Sequence, residues 1–342
     1  MSGMLLELPH FEHVNVARLE EGISQLRKYG GKAKVIAGGT DLLALMKDRV
    51  EGPEMRAPEV LINVKSIPEM NAITDDEERG LSIGAAVTLS RLELTGIIRE
   101  KYSILSQAAR HVGTTQIRNM GTLGGNLCQR PRCMYFRHPH FLCYKKGGAK
   151  CYAIAGEHRD YHSILGSGRC TMAHPSDMAP ALVALNAEVV ILSPGGEKKV
   201  PMQDFFTGPN HFTEILLAPD EFVKEIRVPR PRDKTYQLFL KHRIRHSADF
   251  ALSSVSLVAQ VSNGIFEDTS IVLGGIAPFP CRASRAEQII RGRRLSEELV
   301  TQAAEASVEG ARPLPMNCYK IDLTKVLVRR VLKSIWRDVV PT

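Results

Sequence analysis

Two periodicities alternate along the first two thirds of the chain. Helical spacing of apolar positions predicts helices over residues 16–29, with Asn15 as N-cap and Gly30-Gly31 as stop, and over 104–112 and 178–185. Short apolar runs predict strands at 34–36, 60–64, 81–84, 188–192 and 225–228, and the first of these leads into a helix from Asp41 to Lys47. Thr88 or Ser90 is placed to cap another short helix, and Gly195-Gly196 to turn a hairpin into Lys199-Val200. Pro229 and Pro231, followed by Arg232-Asp233-Lys234, interrupt the pattern and mark a candidate domain boundary. Beyond it, strands at 237–242 and 252–261 precede an Asn263-Gly264 turn into Ile265 and 271–273. Two helices close the chain. Ser296 caps one reaching Gly310, and Asp322 caps the other, whose core face is Leu323, Val326, Leu327, Val331, Ile335 and Trp336. Strands and helices are partly segregated, which is the α+β class.

The 342 residues are enough for two domains with sizeable cores, and 44% hydrophobic with 24% charged residues is an ordinary globular composition. No apolar run is long enough to span a membrane. Residues 1–12 carry Glu7 and Glu12 and lack a basic lead-in and an apolar core, so they do not read as a secretory signal. The expectation is a reducing, cytoplasmic setting, where clustered cysteines bind metal more often than they pair.

Charge changes the picture in one segment. Between Leu127 and Cys170 eight basic residues stand against Glu157 and Asp160, so +6 of the chain's net +8 falls there. Tyr135, Tyr144, Tyr152 and Tyr161 are interleaved with them. A solvated basic loop, a nucleic-acid patch and a counter-charge for a metal–thiolate centre are all compatible with this pattern. The same stretch holds five of the seven cysteines, Cys128, Cys133, Cys143, Cys151 and Cys170, which favours the third.

Two glycine segments carry the rest of the candidate chemistry. Ala37-Gly38-Gly39-Thr40 and Gly121-Thr122-Leu123-Gly124-Gly125-Asn126 each offer backbone N–H groups and a threonine hydroxyl, and together they could hold the two phosphates of a dinucleotide. Neither has the G-x-G-x-x-G form of a Rossmann site. Asp177, after His174-Pro175-Ser176, either accepts from ribose or ribityl hydroxyls or caps a helix. The cysteine intervals of 9, 7 and 18 residues from Cys133 to Cys170 contain no C-x-x-C pair, so iron–sulfur and zinc both stay open, with unliganded cysteines behind them. His138, His140, His158 and His162 widen the ligand choice. His111, His174, His242 and His246 stand singly, and no Ser–His–Asp or paired-carboxylate set is present.

With Ala37-Gly38-Gly39-Thr40-Asp41-Leu42 and Thr122-Leu123-Gly124-Gly125-Asn126, the chain resembles the FAD-binding medium subunits of the xanthine dehydrogenase (molybdenum hydroxylase) family over essentially its whole length. The resemblance implies an α+β, two-domain fold. Residues 1–228 would form a PCMH-type, vanillyl-alcohol-oxidase-like FAD domain with an insert at 127–172, and residues 229–342 a C-terminal domain like that of the CO dehydrogenase flavoprotein. Gln129-Arg130-Pro131-Arg132-Cys133-Met134-Tyr135-Phe136-Arg137 and His174-Pro175-Ser176-Asp177 look like the aldehyde oxidoreductase branch, which shares a [4Fe–4S] insert with the 4-hydroxybenzoyl-CoA reductase branch.

Carried over residue by residue, Val35, Ile36, Ala37, Gly38, Gly39, Thr40, Asp41 and Leu42 would wrap the FAD diphosphate. Thr122, Gly125 and Asn126 would continue toward the flavin, and Ser176 and Asp177 would bind hydroxyls. Val223 and Lys241 would be further flavin contacts. Cys133, Cys143, Cys151 and Cys170 would hold the cluster, leaving Cys128 spare. Met120 stands where the family often has a third small residue.

The implied activity is electron relay. A molybdenum-cofactor large subunit and a [2Fe–2S] small subunit, in a heterotrimer or a dimer of heterotrimers, would oxidise an aldehyde or N-heterocycle. FAD would pass the electrons to an external acceptor. Export with a signal-bearing partner would place the complex in the periplasm. The competing readings are a self-sufficient flavoprotein oxidase of the same fold and a zinc-stabilised nucleic-acid module.

Overall fold

The computed structural model describes residues 7–339, so the first half of the segment read for a leader lies outside it. The chain opens with a small parallel sheet of order β1-β3-β2, in which β1 is Glu12–Asn15, β2 Ala33–Ile36 and β3 Val60–Asn63. Helix α1 (Leu19–Tyr29) crosses between β1 and β2, and α2 (Leu42–Lys47) follows β2. Asn15 is thus the last residue of a strand, not a helix cap. Its amide oxygen accepts from Asn63 Nδ2 at 2.8 Å, and the helix starts three residues later than its sequence period suggests.

A five-stranded antiparallel sheet of order β4-β5-β8-β6-β7 forms the second layer, built from Ile73–Asp76, Gly80–Gly84, Phe222–Val228, Glu188–Ser193 and Gly196–Pro201 respectively. Between β5 and β6 run α3 (Leu89–Leu94), α4 (Gly96–Lys101), α5 (Ser103–Arg110), α6 (Thr115–Met120), α7 (Leu123–Leu127), α8 (Met134–Arg137) and α9 (Met178–Ala184). Thr88 caps α3 by accepting from the Arg91 N–H at 3.3 Å. α5 and α9 bury Ile104, Leu105, Leu182 and neighbouring residues in one core with residues of β6, β8 and the parallel sheet.

The stretch from α8 to Met172 is packed, not loose. Cys133, Tyr135, Phe136, Cys143 and Ala153 form a small core with Leu45 of α2 and Val50. The Cβ position of Gly52 lies 2.3 Å from the Lys146 carbonyl oxygen, so only glycine lets the insert seat there.

Past residue 234 a third sheet runs β12-β11-β10-β9, with β9 at Thr235–His242, β10 at Ser253–Ser262, β11 at Ile265–Gly274 and β12 at Cys281–Arg282. The β10–β11 turn at Asn263 (φ 52°) and Gly264 (φ 77°) has both residues left-handed, the form that Asn-Gly favours. Strand β13 (Arg293–Arg294) pairs with β11, and α10 (Ser284–Ile290), α11 (Glu297–Ala306) and α12 (Tyr319–Val339) cover the sheet. Ser296 caps α11 as expected, accepting from Leu299 N–H at 3.2 Å. Asp322 does not cap α12. The helix begins at Tyr319, and the carboxylate sits in its first turn, where the helix dipole favours it.

The two halves meet through α5 and β9. Phe239 N–H donates to Gln107 Oε1 at 2.9 Å, and Gln237 Nε2 to the Lys101 carbonyl at 2.7 Å.

Candidate functional site

Strand β2 delivers the chain into residues 37–42, where Gly39 turns it with φ +70°. A Cβ on Gly38 would stand 2.3 Å from the Met120 carbonyl oxygen and 2.9 Å from Gly121 Cα. A Cβ on Gly121 would approach Thr40 Oγ1 at 3.6 Å. The two glycine segments, more than eighty residues apart in sequence, therefore lie directly against each other. Their expected meeting is a feature of the fold.

The second segment differs from its expected form. Residues 122–127 are not an open loop: Thr122 caps α7, its hydroxyl accepting from the Gly125 N–H at 3.2 Å. That hydroxyl is buried and engaged. Gly124 packs α7 onto the strand end, its Cβ position 2.9 Å from Ala85 Cβ. Gly125 is the exception. It is exposed, and a Cβ there would meet only Thr122 Oγ1, at 3.0 Å.

Thr40 is also exposed, and Val35 through Gly39 are half-buried. Backbone without Cβ atoms is thus presented at Gly39 and Gly125, a candidate groove for a flat or anionic group such as FAD.

The Asp41 side chain is engaged by the insert. Its carboxylate accepts from the Arg130 N–H at 2.8 Å, Arg137 Nη2 at 2.6 Å and Arg132 Nη2 at 2.8 Å. A carboxylate beside a diphosphate would repel it. Turned to three arginines, it instead ties the first glycine segment to the insert.

Ser176 and Asp177 are buried and have protein partners. Ser176 Oγ donates to Asn126 Oδ1 at 2.6 Å and accepts from the Ala179 N–H at 3.0 Å, so it is Ser176 that caps α9 by hydrogen bond. Asp177 makes no capping bond and pairs with Lys241 Nζ at 2.6 Å. Burial pushes the Asp177 carboxyl up while Lys241 pulls it down. Lys241 Nζ also donates to the His111 carbonyl at 3.0 Å, so this pair locks β9 to the start of α9. Val223 is buried in β8 opposite Ile191. The candidate residues thus fall into an open part (35–40 and 125) and a closed part (126, 176, 177 and 241).

The insert gathers its four candidate cysteines. Cys133, Cys143, Cys151 and Cys170 line one small cavity, with Lys145 and Met172. Cys128 is not among its walls and packs against the main core. Burial pushes the Cys133 thiol up to about 11 and raises Cys143 as well. A hydrogen bond from Cys170 pulls Cys151 down to about 5, and the same bond pushes Cys170 well up.

Among the described residues no three His, Cys, Asp or Glu side chains converge tightly enough for a single metal ion. Thiols set around a shared space fit a polynuclear centre, whose own body spans the gap.

The basic charge of the insert lies largely indoors. Lys145 is 1% and Lys146 0% exposed, and Arg130, Arg132 and Arg137 are half-buried. Arg130 and Lys145 reach Glu214, itself buried, at 2.9 and 3.3 Å. Lys146 Nζ donates to the His138 carbonyl at 2.7 Å. Burial pushes Lys146 down, and Cys143 and Cys133 would pull it back up when ionised. An ammonium buried with thiols as counter-groups suits an anionic thiolate centre. Only Lys150, Arg159 and Arg169 of the eight are exposed, so the segment does not form the basic surface stripe of a nucleic-acid site.

Two buried histidines border these sites. His174 Nδ1 accepts from the Ser176 N–H at 3.3 Å, and burial drops its pKa to about 3. His162, lowered to about 4 mainly by burial, places Nε2 3.3 Å from Cys133 Sγ.

Sequence reasoning missed Asp41's partners, Glu214 and the burial of both lysines, because each depends on a contact across the fold. The Lys145-Lys146 pair flanked by Cys143 and Cys151 was the available signal.

A parallel and an antiparallel sheet around paired glycine segments, followed by a second α+β unit, define a flavin-binding class of protein. Residues 9–231 match the sequence family described as the FAD binding domain in molybdopterin dehydrogenase, and residues 239–335 the CO dehydrogenase flavoprotein C-terminal domain. The chain belongs to the family of FAD-binding medium subunits of the xanthine dehydrogenase, or molybdenum hydroxylase, type.

It is 33% identical to the aldehyde oxidoreductase FAD-binding subunit PaoB of Escherichia coli over 95% of this chain and 96% of that protein. It is 27% identical to the carbon monoxide dehydrogenase medium chain of Hydrogenophaga pseudoflava, over 96% and 98% of the two chains. A solved structure of that carbon monoxide dehydrogenase, lacking the Mo-pyranopterin moiety, superposes with a TM-score of 0.77 at 27% identity, covering 96% of this chain and 98% of that one.

Proposed function

We propose that this chain is the flavin- and cluster-bearing electron relay of a molybdenum hydroxylase acting on an aldehyde or N-heterocycle. FAD would lie along Val35 to Leu42 and Thr122 to Asn126, with Ser176, Asp177, Val223 and Lys241 shaping its far end. A [4Fe–4S] cluster would sit on Cys133, Cys143, Cys151 and Cys170. The partners would be a molybdenum-cofactor large subunit and a [2Fe–2S] small subunit, and an external acceptor would take the electrons. Residues 1–228 would form the flavin unit and 229–342 the second domain. Synthesis would be cytoplasmic, with co-export to the periplasm on a signal-bearing partner as the variant to test.

The single observation that carries this reading is the junction at Asp41. The segment after Gly38-Gly39 and the arginines that flank Cys133 are held by one carboxylate, so groove and cysteine cavity are built as one unit. When bound, FAD supplies one- and two-electron chemistry and a cluster supplies single-electron transfer.

The protein's own groups bind and insulate. Gly38 and Gly39 bring the backbone close, and Gly125 keeps the groove clear. Lys145 and Lys146 lower the electrostatic cost of buried thiolates, and the Asp177–Lys241 pair fixes the wall. The candidate groove presents no acid–base pair for substrate chemistry, which leaves that work to the large subunit.

Anaerobic purification with native partners, followed by flavin, iron and sulfide counts, tests the reading. One FAD per chain, and four iron beyond those of the [2Fe–2S] subunit, are expected. Stoichiometric zinc in place of iron, or aldehyde oxidation by the isolated chain, would refute it.

A further inference from the structure

We propose that His162 donates its Nε2–H to the Cys133 sulfur and thereby raises the reduction potential of the iron–sulfur centre, and that the start of helix α12 holds the histidine in place. The inference rests on the cluster reading above.

His162 Nε2 lies 3.3 Å from Cys133 Sγ, and the residue is 4% exposed. Its other ring nitrogen, Nδ1, is buried with no hydrogen-bond partner. A neutral imidazole has one ring proton to place. On Nδ1, that proton would face only the His158 carbonyl, outside hydrogen-bond geometry, and the Nε2 lone pair would face a sulfur lone pair. On Nε2, the proton meets a sulfur that is electron-rich when it ligates iron. Leaving a buried donor unmade costs more than leaving an acceptor bare, so the Nε2–H form is the one this pocket selects.

The ring is aimed by its backbone. His162 bridges to Met172, next to Thr171 and Cys170. Its carbonyl oxygen accepts from Lys320 Nζ at 3.1 Å and from Asn317 Nδ2 at 3.3 Å, both fully buried. Lys320 Nζ also donates to the Gly275 carbonyl at 3.0 Å, and Met316 N–H to His158 Nε2 at 3.0 Å. Residues 316–320 therefore clamp the 158–163 strap onto the cysteine cavity. Lys320 has no carboxylate among these partners and uses only carbonyl oxygens, a costly arrangement that a mere packing role does not need.

A hydrogen bond to a ligating sulfur withdraws charge and favours the more reduced, more negative state of a cluster. His162 is thus a positioning and tuning residue, and its removal lowers the potential without removing a ligand.

The test uses the full chain in its native complex, purified anaerobically with 15N-labelled histidine. Pulsed electron paramagnetic resonance of the reduced centre should show one weak histidine-nitrogen coupling in the wild type. His162→Leu should keep four iron, lose that coupling and shift the midpoint to lower potential. His162→Gln, which keeps an N–H donor, should shift it less, and Lys320→Met should shift it in the same direction by weakening the clamp.

No coupling in the wild type, a strong coupling of direct ligation, or an unchanged midpoint in an iron-replete His162→Leu protein would overturn the hydrogen bond. If His162→Leu fails to hold iron, the wild-type coupling decides alone. An unchanged Lys320→Met midpoint beside a shifted His162→Leu one would overturn the clamp. A wild-type complex with no iron beyond that of the [2Fe–2S] partner refutes the cluster reading as well, whereas the four additional iron without coupling refute only this inference.

Discussion

The groove and the cysteine cavity are built from opposite materials. The candidate groove is backbone: Gly38 against the Met120 carbonyl, Gly39 in a left-handed turn, and the exposed Gly125 with only Thr122 Oγ1 against its Cβ position. The cavity is side chain: four thiols, the buried Lys145 and a wall of Tyr135, Phe136, Tyr144 and Tyr152. A backbone site is damaged by adding atoms and a side-chain site by removing them. The two therefore predict opposite sensitivities to mutation, and Asp41, which touches the insert from the groove, should show both.

The largest effect is expected at Gly38→Val. Its new side chain cannot avoid backbone at 2.3 Å, so the variant should lose flavin and at least about 3 kcal/mol of stability in denaturant melts. Gly125→Val sharpens the point: with only Thr122 Oγ1 nearby, it should fold nearly as well as the wild type while losing flavin.

Next in size, Cys143→Ser or Cys151→Ser should remove the iron while Cys128→Ser keeps it, as read by iron and sulfide counts.

Asp41→Asn comes third. It leaves Arg132 and Arg137 without a countercharge and should cost about 1–3 kcal/mol, lowering flavin and iron occupancy together. Loss of one cofactor alone would break the claim that Asp41 joins the two regions.

The smallest effect is a pH slope. His174 is held neutral in the fold with a pKa near 3, against an ordinary 6.5, so the unfolded chain binds the extra proton first. Stability from this group is fully present above pH 6.5 and falls as pH drops from there toward about 3. Melts of wild type and His174→Gln should diverge in that window and run parallel above it.

The same contrast of materials explains what the sequence made legible. Backbone sites announce themselves through glycine, and the two glycine segments were readable as partners before any fold was known. The thiol set was readable because cysteine is rare. Local signals held as well: Thr88 and Ser296 cap their helices, and Asn263-Gly264 turns its hairpin.

The failures are long-range or marginal. α7 has five residues, two of them glycine, and forms because Thr122 caps it and Gly124 packs on Ala85, which no propensity reveals. Strand β1 is short and mostly exposed, so nothing in its pattern competes with reading Asn15 as a cap. The sequence favoured the lysines at 145 and 146 as counter-charge to a metal–thiolate centre, but their burial was not legible, because charge in a sequence gives no sign of burial. Their counter-groups, Glu214 and the cysteines, are brought in by the fold.

The most direct test of the central claim is a paired count of flavin and iron in Gly125→Val and Cys143→Ser, each purified anaerobically beside the wild type. The account predicts that Gly125→Val keeps four iron per chain and loses most of its FAD, while Cys143→Ser keeps FAD and loses iron. Full flavin in Gly125→Val, or four iron surviving in Cys143→Ser, would contradict it.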